Sequence, residues 1–224
     1  MSAFPLVRPN GDLTVVYNSI LAGLLQVSQT SHDGGSTFDP PVTIAAFQGI
    51  GVAGMRTGDF LPAAAVDPVS GHLYAVWQDA RFRSDGFNDI VISVSTDGGA
   101  SWGPVRAVNA SAAHPVNHFT AAVGAHGGTV LVSYVTRADD DDRVDVRYVV
   151  STDDGTSFGR ERRLGGAGNL RFAASSSGRS FLGDYMGLAV SATAAHAVWC
   201  RPSRPRRGPT ADHHQTTWSA TIAR

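Results

Sequence analysis

The polar residues that could carry chemistry lie just before and just after short apolar segments. Asp59, His118 and Asp184 each stand directly before an aromatic residue, at the start of a segment rich in small residues. Other charged residues follow apolar segments that end in an aromatic residue. These are Asp79, Arg81, Arg137 and Arg201.

This combination of side chains suits the binding and cleavage of an acidic or neutral sugar. An arginine fork binds a carboxylate with two hydrogen bonds, and ligand pockets are commonly lined by aromatic rings. Two carboxylates can hydrolyse a glycosidic bond, one protonating the leaving oxygen and the other acting as base or nucleophile. The alternative is that these polar groups bind water or cap loop backbones. The candidate catalytic residues are Asp59, Asp79, Asp184 and Tyr185, and the candidate substrate-binding residues are Arg81, His118, Arg137 and Arg201.

Four apolar segments predict the buried strands that position these residues. They span 13–17, 73–77, 130–134 and 195–199, and each ends in an aromatic residue. Short runs of this composition are typical of strands. Three of them follow small-residue segments that are predicted to form innermost strands, ending at Val66, Val123 and Val190. Neighbouring antiparallel strands run in opposite directions, so one begins where the other ends. The candidate residues are therefore expected to converge on one face.

An octapeptide with the pattern Ser-x-Asp-x-Gly-x-Ser/Thr-aromatic occurs at 31–38, 95–102 and 151–158. We call these the first, second and third box. The aspartate is predicted to accept hydrogen bonds from backbone amides, and the glycine to supply a positive φ. The aromatic residue is expected to fill the space beneath the turn. The residues with these structural roles are Ser31, Asp33, Gly35, Phe38, Ser95, Asp97, Gly99, Trp102, Ser151, Asp153, Gly155 and Phe158.

The boxes resemble the Asp-box, or BNR, repeats of the sialidase-like superfamily. The resemblance implies an all-β fold, a β-propeller of four-stranded antiparallel blades. Blades of roughly 40 to 50 residues are usual in propellers. The chain is expected to be one domain, 1–224, that forms part of a six-bladed propeller, with a closed four-bladed ring as the alternative. The predicted blade units are 4–48, 57–109, 116–167 and 181–223.

The same resemblance implies a glycoside hydrolase related to exo-sialidases and acting on extracellular glycans. In sialidases an arginine triad holds the substrate carboxylate, a glutamate activates a tyrosine nucleophile, and an aspartate is the acid/base. This sequence departs from that pattern, because Glu161 is its only glutamate and is predicted on an outer strand away from the pocket. The Phe-Arg-Ile-Pro motif is also absent from the sequence. The alternative is therefore a non-catalytic glycan-binding or scaffold propeller.

The composition limits the other classes of partner. The 25 glycines and 11 prolines favour a turn-rich β protein, and the formal net charge of -1 gives no field that would attract nucleic acid. No apolar run reaches the roughly 18 residues of a membrane helix. We expect a carbohydrate or glycoconjugate partner, no cofactor and no metal. The start of the chain lacks signal-peptide features, so an extracellular location is implied by the resemblance alone.

Overall fold

The computed structural model of the protein describes residues 3–21, 23–109, 115–138, 141–205 and 213–224. Strands make up nearly all of its regular structure, and the one helix in these ranges is a 3-10 turn at Leu170–Phe172. No helix in these ranges has the length and apolar character needed to cross a bilayer. The predicted all-β class is confirmed for the described residues.

Four antiparallel sheets follow one another along the chain. Strands are numbered in chain order. The first sheet contains β1 (Ala3–Val7), β2 (Leu13–Ser19), β3 (Leu25–Ser31) and β4 (Val42–Ala46). The second contains β6 (Ala63–Val66), β7 (Leu73–Asp79), β8 (Asp89–Ser95) and β9 (Arg106–Ala107). The third contains β10 (Val116–His126), β11 (Thr129–Ala138), β12 (Arg143–Ser151) and β13 (Arg162–Arg163), and β14 (Gly168–Asn169) also pairs with β12. The fourth contains β17 (Gly187–Val190), β18 (Ala194–Pro202) and β19 (Gln215–Ala223).

Consecutive sheets pack face to face, because alternate residues of each strand point to opposite faces. Val16 of the first sheet and Trp77 of the second belong to one buried apolar cluster. Ile92 of the second sheet and Tyr134 of the third belong to another, and Trp199 of the fourth sheet packs into a third. The first strands of the sheets are neighbours in the same order, since β6 contacts β1 and β10, and β10 contacts β17.

A small additional sheet was not predicted. Strands β15 (Ala174–Ser176) and β16 (Arg179–Phe181) form a hairpin, and β16 pairs in parallel with β5 (Met55–Arg56). The two-residue turn of the hairpin has positive φ at Ser177 and Gly178, as a type I′ turn requires. This sheet ties the segment before the second sheet to the segment before the fourth.

All three boxes form the same turn, between the third and fourth strands of their sheets. The aspartate carboxylate accepts the backbone N–H four residues later, at 2.8–2.9 Å. The serine hydroxyl donates to that carboxylate and accepts the N–H of the box glycine, at 2.8–2.9 Å for the latter bond. Positive φ occurs at the fourth and fifth box positions, the fourth being Asp154 in the third box.

The second and third boxes pack against the preceding sheet. The indole Nε1 of Trp102 donates to Ser28 Oγ of the first sheet at 2.9 Å, and Phe158 packs on the cluster shared by the second and third sheets. The expectation that every box aromatic fills the space beneath its turn is wrong for Phe38, which is 42% exposed. The reason is that no sheet precedes the first sheet in the described residues.

Candidate functional site

The segment around β5 and the β15–β16 hairpin enclose an open cleft of about 440 Å³. Three candidate residues line it, namely Asp59, Asp184 and Tyr185. Asp59 lies in the loop before β6, and Asp184 and Tyr185 lie in the loop before β17. The structure therefore brings together carboxylates that are far apart in sequence, at a point where loops from two different sheets meet.

Asp184 is held by a cation from the opposite side of the cleft. Arg56 Nη2 lies 3.2 Å from Asp184 Oδ2, and the Arg56 guanidinium also stacks 4.3 Å from the centre of the Phe181 ring. Both side chains of the ion pair retain access to solvent. Asp184 is thus oriented by Arg56 while remaining open to a ligand.

Asp59 and Tyr185 have fewer constraints. The Thr57 hydroxyl donates to Asp59 Oδ1. The other carboxylate oxygen accepts no hydrogen bond from the described part of the chain. Tyr185 is 53% exposed, and its ring contacts Phe4 edge to face with centroids 5.8 Å apart. Within the described residues, no carboxylate accepts a hydrogen bond from the Tyr185 hydroxyl. The cleft therefore offers two reachable carboxylates and an aromatic surface.

Asp79 and Arg81 lie outside this cleft and bond to each other. Asp79 is fully buried and accepts hydrogen bonds from Trp77 Nε1 at 2.8 Å and from Gln48 N at 3.1 Å. The backbone N–H, Nε and Nη2 of Arg81 donate to the same carboxylate at 2.8–2.9 Å. With both oxygens used by the protein, Asp79 holds a loop in place and is not available to a substrate.

Of the three residues predicted at the starts of inner strands, only His118 lies within its strand, as the third residue of β10. Asp59 and Asp184 lie in the loops before β6 and β17. The β10 strand is longer than β6 and β17, with a bulge between Phe119 and Ala122 where Thr120 has a φ of 49°. His118 is only 3% exposed, and burial lowers its pKa. Its Nδ1 lies 3.1 Å from Asn88 O and 3.8 Å from Asp89 Oδ1, so the ring faces the second sheet instead of the cleft.

Glu161 lies outside the cleft, next to Tyr134, Arg147 and His118. Its carboxylate accepts a 2.7 Å hydrogen bond from the buried Tyr134 hydroxyl and pairs with Arg147 Nη1 at 2.7 Å. His118 Nε2 lies 3.8 Å from the same carboxylate. Burial raises the pKa of the Tyr134 phenol, with the Glu161 charge adding to the effect. The only glutamate thus belongs to a cluster between the second and third sheets and does not line the cleft, as its predicted outer position implied.

The two remaining arginines are also apart from the cleft. Arg137 donates to Asp141 O at 2.8 Å and to Ala53 O, so it braces the segment that leads into β5. Arg201 stacks 4.3 Å from the Trp218 ring centre and donates to Ala167 O at 2.9 Å. It lines a different groove, near β19. The predicted convergence therefore holds for three candidates, and the other five are placed elsewhere.

Sequence reasoning missed two cations of the cleft, Arg56 and Arg179. Arg179 opens β16, directly after the Ser177-Gly178 turn. A Ser-Gly pair between two short polar segments is a hairpin signal that could have revealed it. Nothing in the sequence indicated that this hairpin would pair with β5.

The described residues define an all-β chain of antiparallel sheets that pack in sequence order. No protein-family model and no curated protein sequence matches this chain. Solved structures do match. The α-L-arabinofuranosidase of Fusarium graminearum bound to arabinobiose is 14% identical, with a TM-score of 0.59 over 98% of this chain and 61% of that chain.

Two further structures are similar. The Hadza microbial sialidase Hz136 is 14% identical, with a TM-score of 0.58 over 97% of this chain and 43% of that chain. The Penicillium chrysogenum α-L-arabinanase bound to arabinobiose is 18% identical, with a TM-score of 0.55 over 88% of this chain and 60% of that chain. The chain thus spans less than two thirds of each. At these identities the likeness concerns the fold.

Proposed function

We propose that the cleft binds a carbohydrate and that the protein is a sialidase-like glycoside hydrolase acting on extracellular glycans. The observation that carries this proposal is the meeting of Asp59 and Asp184 in one open cleft. Their loops enter different sheets, so the pairing depends on the tertiary fold. A pair of carboxylates is the usual catalytic set of glycoside hydrolases.

The two carboxylates have different surroundings, which suggests different roles. Asp184 is paired with Arg56. Such a pair orients the Asp184 carboxylate, which is assigned the role of base or nucleophile at the anomeric carbon. Asp59 has no cationic partner among the described residues and is assigned the acid role, protonating the glycosidic oxygen as its bond to the anomeric carbon breaks. Tyr185 and Phe60 offer aromatic surface at the rim.

The solved structures with a similar fold support a sugar ligand. They include an arabinofuranosidase, an arabinanase and a sialidase, all of which are enzymes of glycosidic bonds. Arg56 and Arg179 make the cleft able to accept a sugar carboxylate as well as a neutral ring. We propose the sialidase-related specificity on this ground and on the resemblance of the boxes.

A second candidate is a non-catalytic glycan-binding or scaffold propeller. It is favoured by the lack of a carboxylate partner for Tyr185 and by the use of Glu161 in the cluster with Tyr134. Among the described residues, the cleft therefore contains no tyrosine paired with a glutamate, as sialidases have. In this alternative Asp59 and Asp184 would hold a sugar by hydrogen bonds alone.

We further propose that the four sheets are consecutive blades of one propeller domain, with units at 4–48, 57–109, 116–167 and 181–223. The face-to-face packing of the sheets supports this assignment. The matching structures have longer chains, which supports a larger ring of six blades. An extracellular location follows from the proposed glycan substrate.

The experiment is a turnover screen of the purified protein against chromogenic sialosides, arabinosides and neutral glycosides, run beside a glycan-binding array. Hydrolysis of any member is the expected result. Binding on the array without turnover would select the second candidate. Neither binding nor turnover, from protein whose folding is verified by circular dichroism, would contradict both the hydrolase and the glycan-binding module and would select the scaffold propeller.

A further inference from the structure

A second polar pocket, of about 310 Å³, lies on the third sheet apart from the cleft. Side chains of β10, β11, β12 and β13 line it, and it shares no lining residue with the cleft. The same face of β11 packs against the second sheet through Val132 and Tyr134. The pocket therefore lies where the second and third sheets meet. We call it the second pocket.

The charges of the second pocket balance one another. Its described lining contains three arginines and three carboxylates, namely Arg143, Arg147, Arg163, Asp141, Asp145 and Glu161. Arg147 Nη1 pairs with Glu161 Oε1 at 2.7 Å. Arg163 pairs with Asp145. An ionic ligand would meet a like charge beside every opposite one, so the described lining favours a neutral ligand.

His118 contributes a buried hydrogen-bond acceptor to this pocket, and its side chain is only 3% exposed. Its Nδ1 lies 3.1 Å from Asn88 O and farther, 3.5 Å, from Asn109 Nδ2. Because a carbonyl oxygen can only accept, Nδ1 carries the proton and donates it to Asn88. Burial lowers the pKa of His118, so the ring is neutral at neutral pH and Nε2 keeps its lone pair.

No residue of the described chain donates a hydrogen bond to this Nε2. Glu161 Oε2, which lies 3.8 Å away, is itself an acceptor and already receives the Tyr134 hydroxyl. A buried polar atom without a partner costs free energy, and nearly all such atoms in proteins have one. His118 Nε2 is thus an acceptor that a ligand in the pocket can use.

Unused donors line the same pocket. The guanidinium of Arg143 forms no ion pair with the described residues, and Nε of Arg147 is buried without a partner there. A ligand that satisfies these donors and His118 Nε2 must offer both acceptors and donors. Hydroxyl groups do so, because each has one O–H donor and two acceptor lone pairs.

We propose that the second pocket binds a neutral, polyhydroxylated ligand, namely one unit of a sugar or polyol. One ligand hydroxyl donates to His118 Nε2, and Arg143 donates to a neighbouring oxygen of the ligand. The volume of the pocket is at the lower end of the range for small-molecule sites, which suits a single ring. This inference goes beyond the proposed function and does not depend on catalysis in the cleft.

The test is an NMR titration of the full, ¹⁵N-labelled chain with millimolar concentrations of small probes. The neutral probes are L-arabinose, D-glucose, D-galactose and myo-inositol, and the charged probes are D-glucuronate and D-glucosamine. The ¹⁵N resonance of His118 Nε2 reports on the pocket, and its absence from the spectrum of His118→Phe assigns it. At least one neutral probe is expected to shift this resonance saturably. Glucuronate and glucosamine are expected to bind at least about threefold more weakly than glucose.

Two variants test the contacts through the backbone amide shifts. His118→Phe keeps a flat ring without the acceptor and is expected to weaken binding of the best neutral probe at least about tenfold. Arg143→Gln is at an exposed position and is expected to weaken it about threefold or more, which gives an answer if His118→Phe fails to fold. Arg106→Gln is the matched control with unchanged affinity, since Arg106 is also exposed and lies outside both pockets.

The proposal is overturned if no neutral probe shifts His118 Nε2, or if glucuronate or glucosamine binds more tightly than glucose. Asp184→Asn separates the second pocket from the cleft. Sugar binding that this variant abolishes, and that Arg143→Gln and His118→Phe leave unchanged, would support the cleft and overturn the second pocket. A saturable shift of His118 Nε2 in a protein that hydrolyses no glycoside would support the second pocket and count against the hydrolase alone.

Discussion

At the scale of single residues, the aspartates of this protein fall into two groups by what their oxygen atoms contact. In the boxes, both carboxylate oxygens accept hydrogen bonds from the turn itself. In the cleft, Asp59 and Asp184 are only partly engaged and reach solvent. Identical side chains thus serve the fold in one place and are available to a ligand in the other.

The box aspartates predict an acid-sensitive stability. Hydrogen bonds, chiefly from the Thr37 and Ser151 hydroxyls, lower the pKa of Asp33 and Asp153 to about 2. A carboxyl group with a lowered folded-state pKa stabilises the fold above its unfolded pKa, near 3.9, and loses that contribution as the pH falls toward 2. Urea unfolding of wild type between pH 5 and pH 2 is therefore expected to show a steeper loss of stability than that of Asp153→Asn.

Asp142→Asn is the control for that comparison, since the Asp142 side chain is 47% exposed and pairs with an exposed arginine, Arg171. Its pH dependence is expected to follow wild type. Parallel slopes for wild type and Asp153→Asn would show that the box carboxylate does not contribute through its ionised form.

Substitution of Asp79 is predicted to lower the stability much more than substitution of Asp184. Asp79→Asn removes a buried charge that Arg81 and Trp77 depend on, and should lower the free energy of unfolding by about 3–5 kcal/mol. Asp184→Asn breaks an ion pair that is partly exposed, which is worth about 0–1 kcal/mol. Chemical denaturation of both variants measures the difference. Equal losses would mean that Asp184 also has a mainly structural role.

At the scale of elements, the aromatic residue of a box stabilises the molecule only where a sheet receives it. Trp102 is partly buried on the first sheet, so Trp102→Ala should cost about 2–4 kcal/mol. Phe38 is exposed and should cost less than about 0.5 kcal/mol when replaced by alanine. The pair is a matched test, because the two residues occupy the same position in their boxes. Similar losses in urea unfolding would contradict the account of box packing.

The strands and turns were the elements most accessible from sequence. The apolar runs mark β2, β7, β11 and β18, and the repeated boxes mark the turns after β3, β8 and β12, because hydrophobic pattern and turn chemistry are local. The β15–β16 hairpin and its parallel pairing with β5 could not be predicted. That pairing joins segments more than a hundred residues apart, and no local pattern encodes it.

The candidate site could be predicted only in part, because it also depends on contacts between segments that are far apart in the chain. Asp59 and Asp184 were predicted at the starts of inner strands; they lie in the loops just before those strands and, with Tyr185, line one cleft. His118 lies within the longer, bulged β10 strand, where it is buried away from the cleft. Asp79 looked equally suited in the sequence, and only its hydrogen bonds reveal that the protein already uses it.

At the scale of the whole molecule, the sheets pack in sequence order and bring loops from the segments before the second and fourth sheets to one cleft. The small parallel sheet fixes these loops to each other, since Ser180 N donates to Gly54 O at 3.0 Å. Arg56 then reaches Asp184 across the cleft. Our central claim is the proposal that Asp59 and Asp184 in this cleft, and no other carboxylates of the described residues, catalyse glycoside hydrolysis.

The most direct measurement of that claim is kcat/KM of Asp184→Asn and Asp59→Asn, relative to wild type, on the best glycoside from the turnover screen. Each substitution is predicted to lower kcat/KM at least about 100-fold, while the free energy of unfolding stays within about 1 kcal/mol of wild type. If both variants keep kcat/KM within about threefold of wild type, the cleft is not the catalytic site.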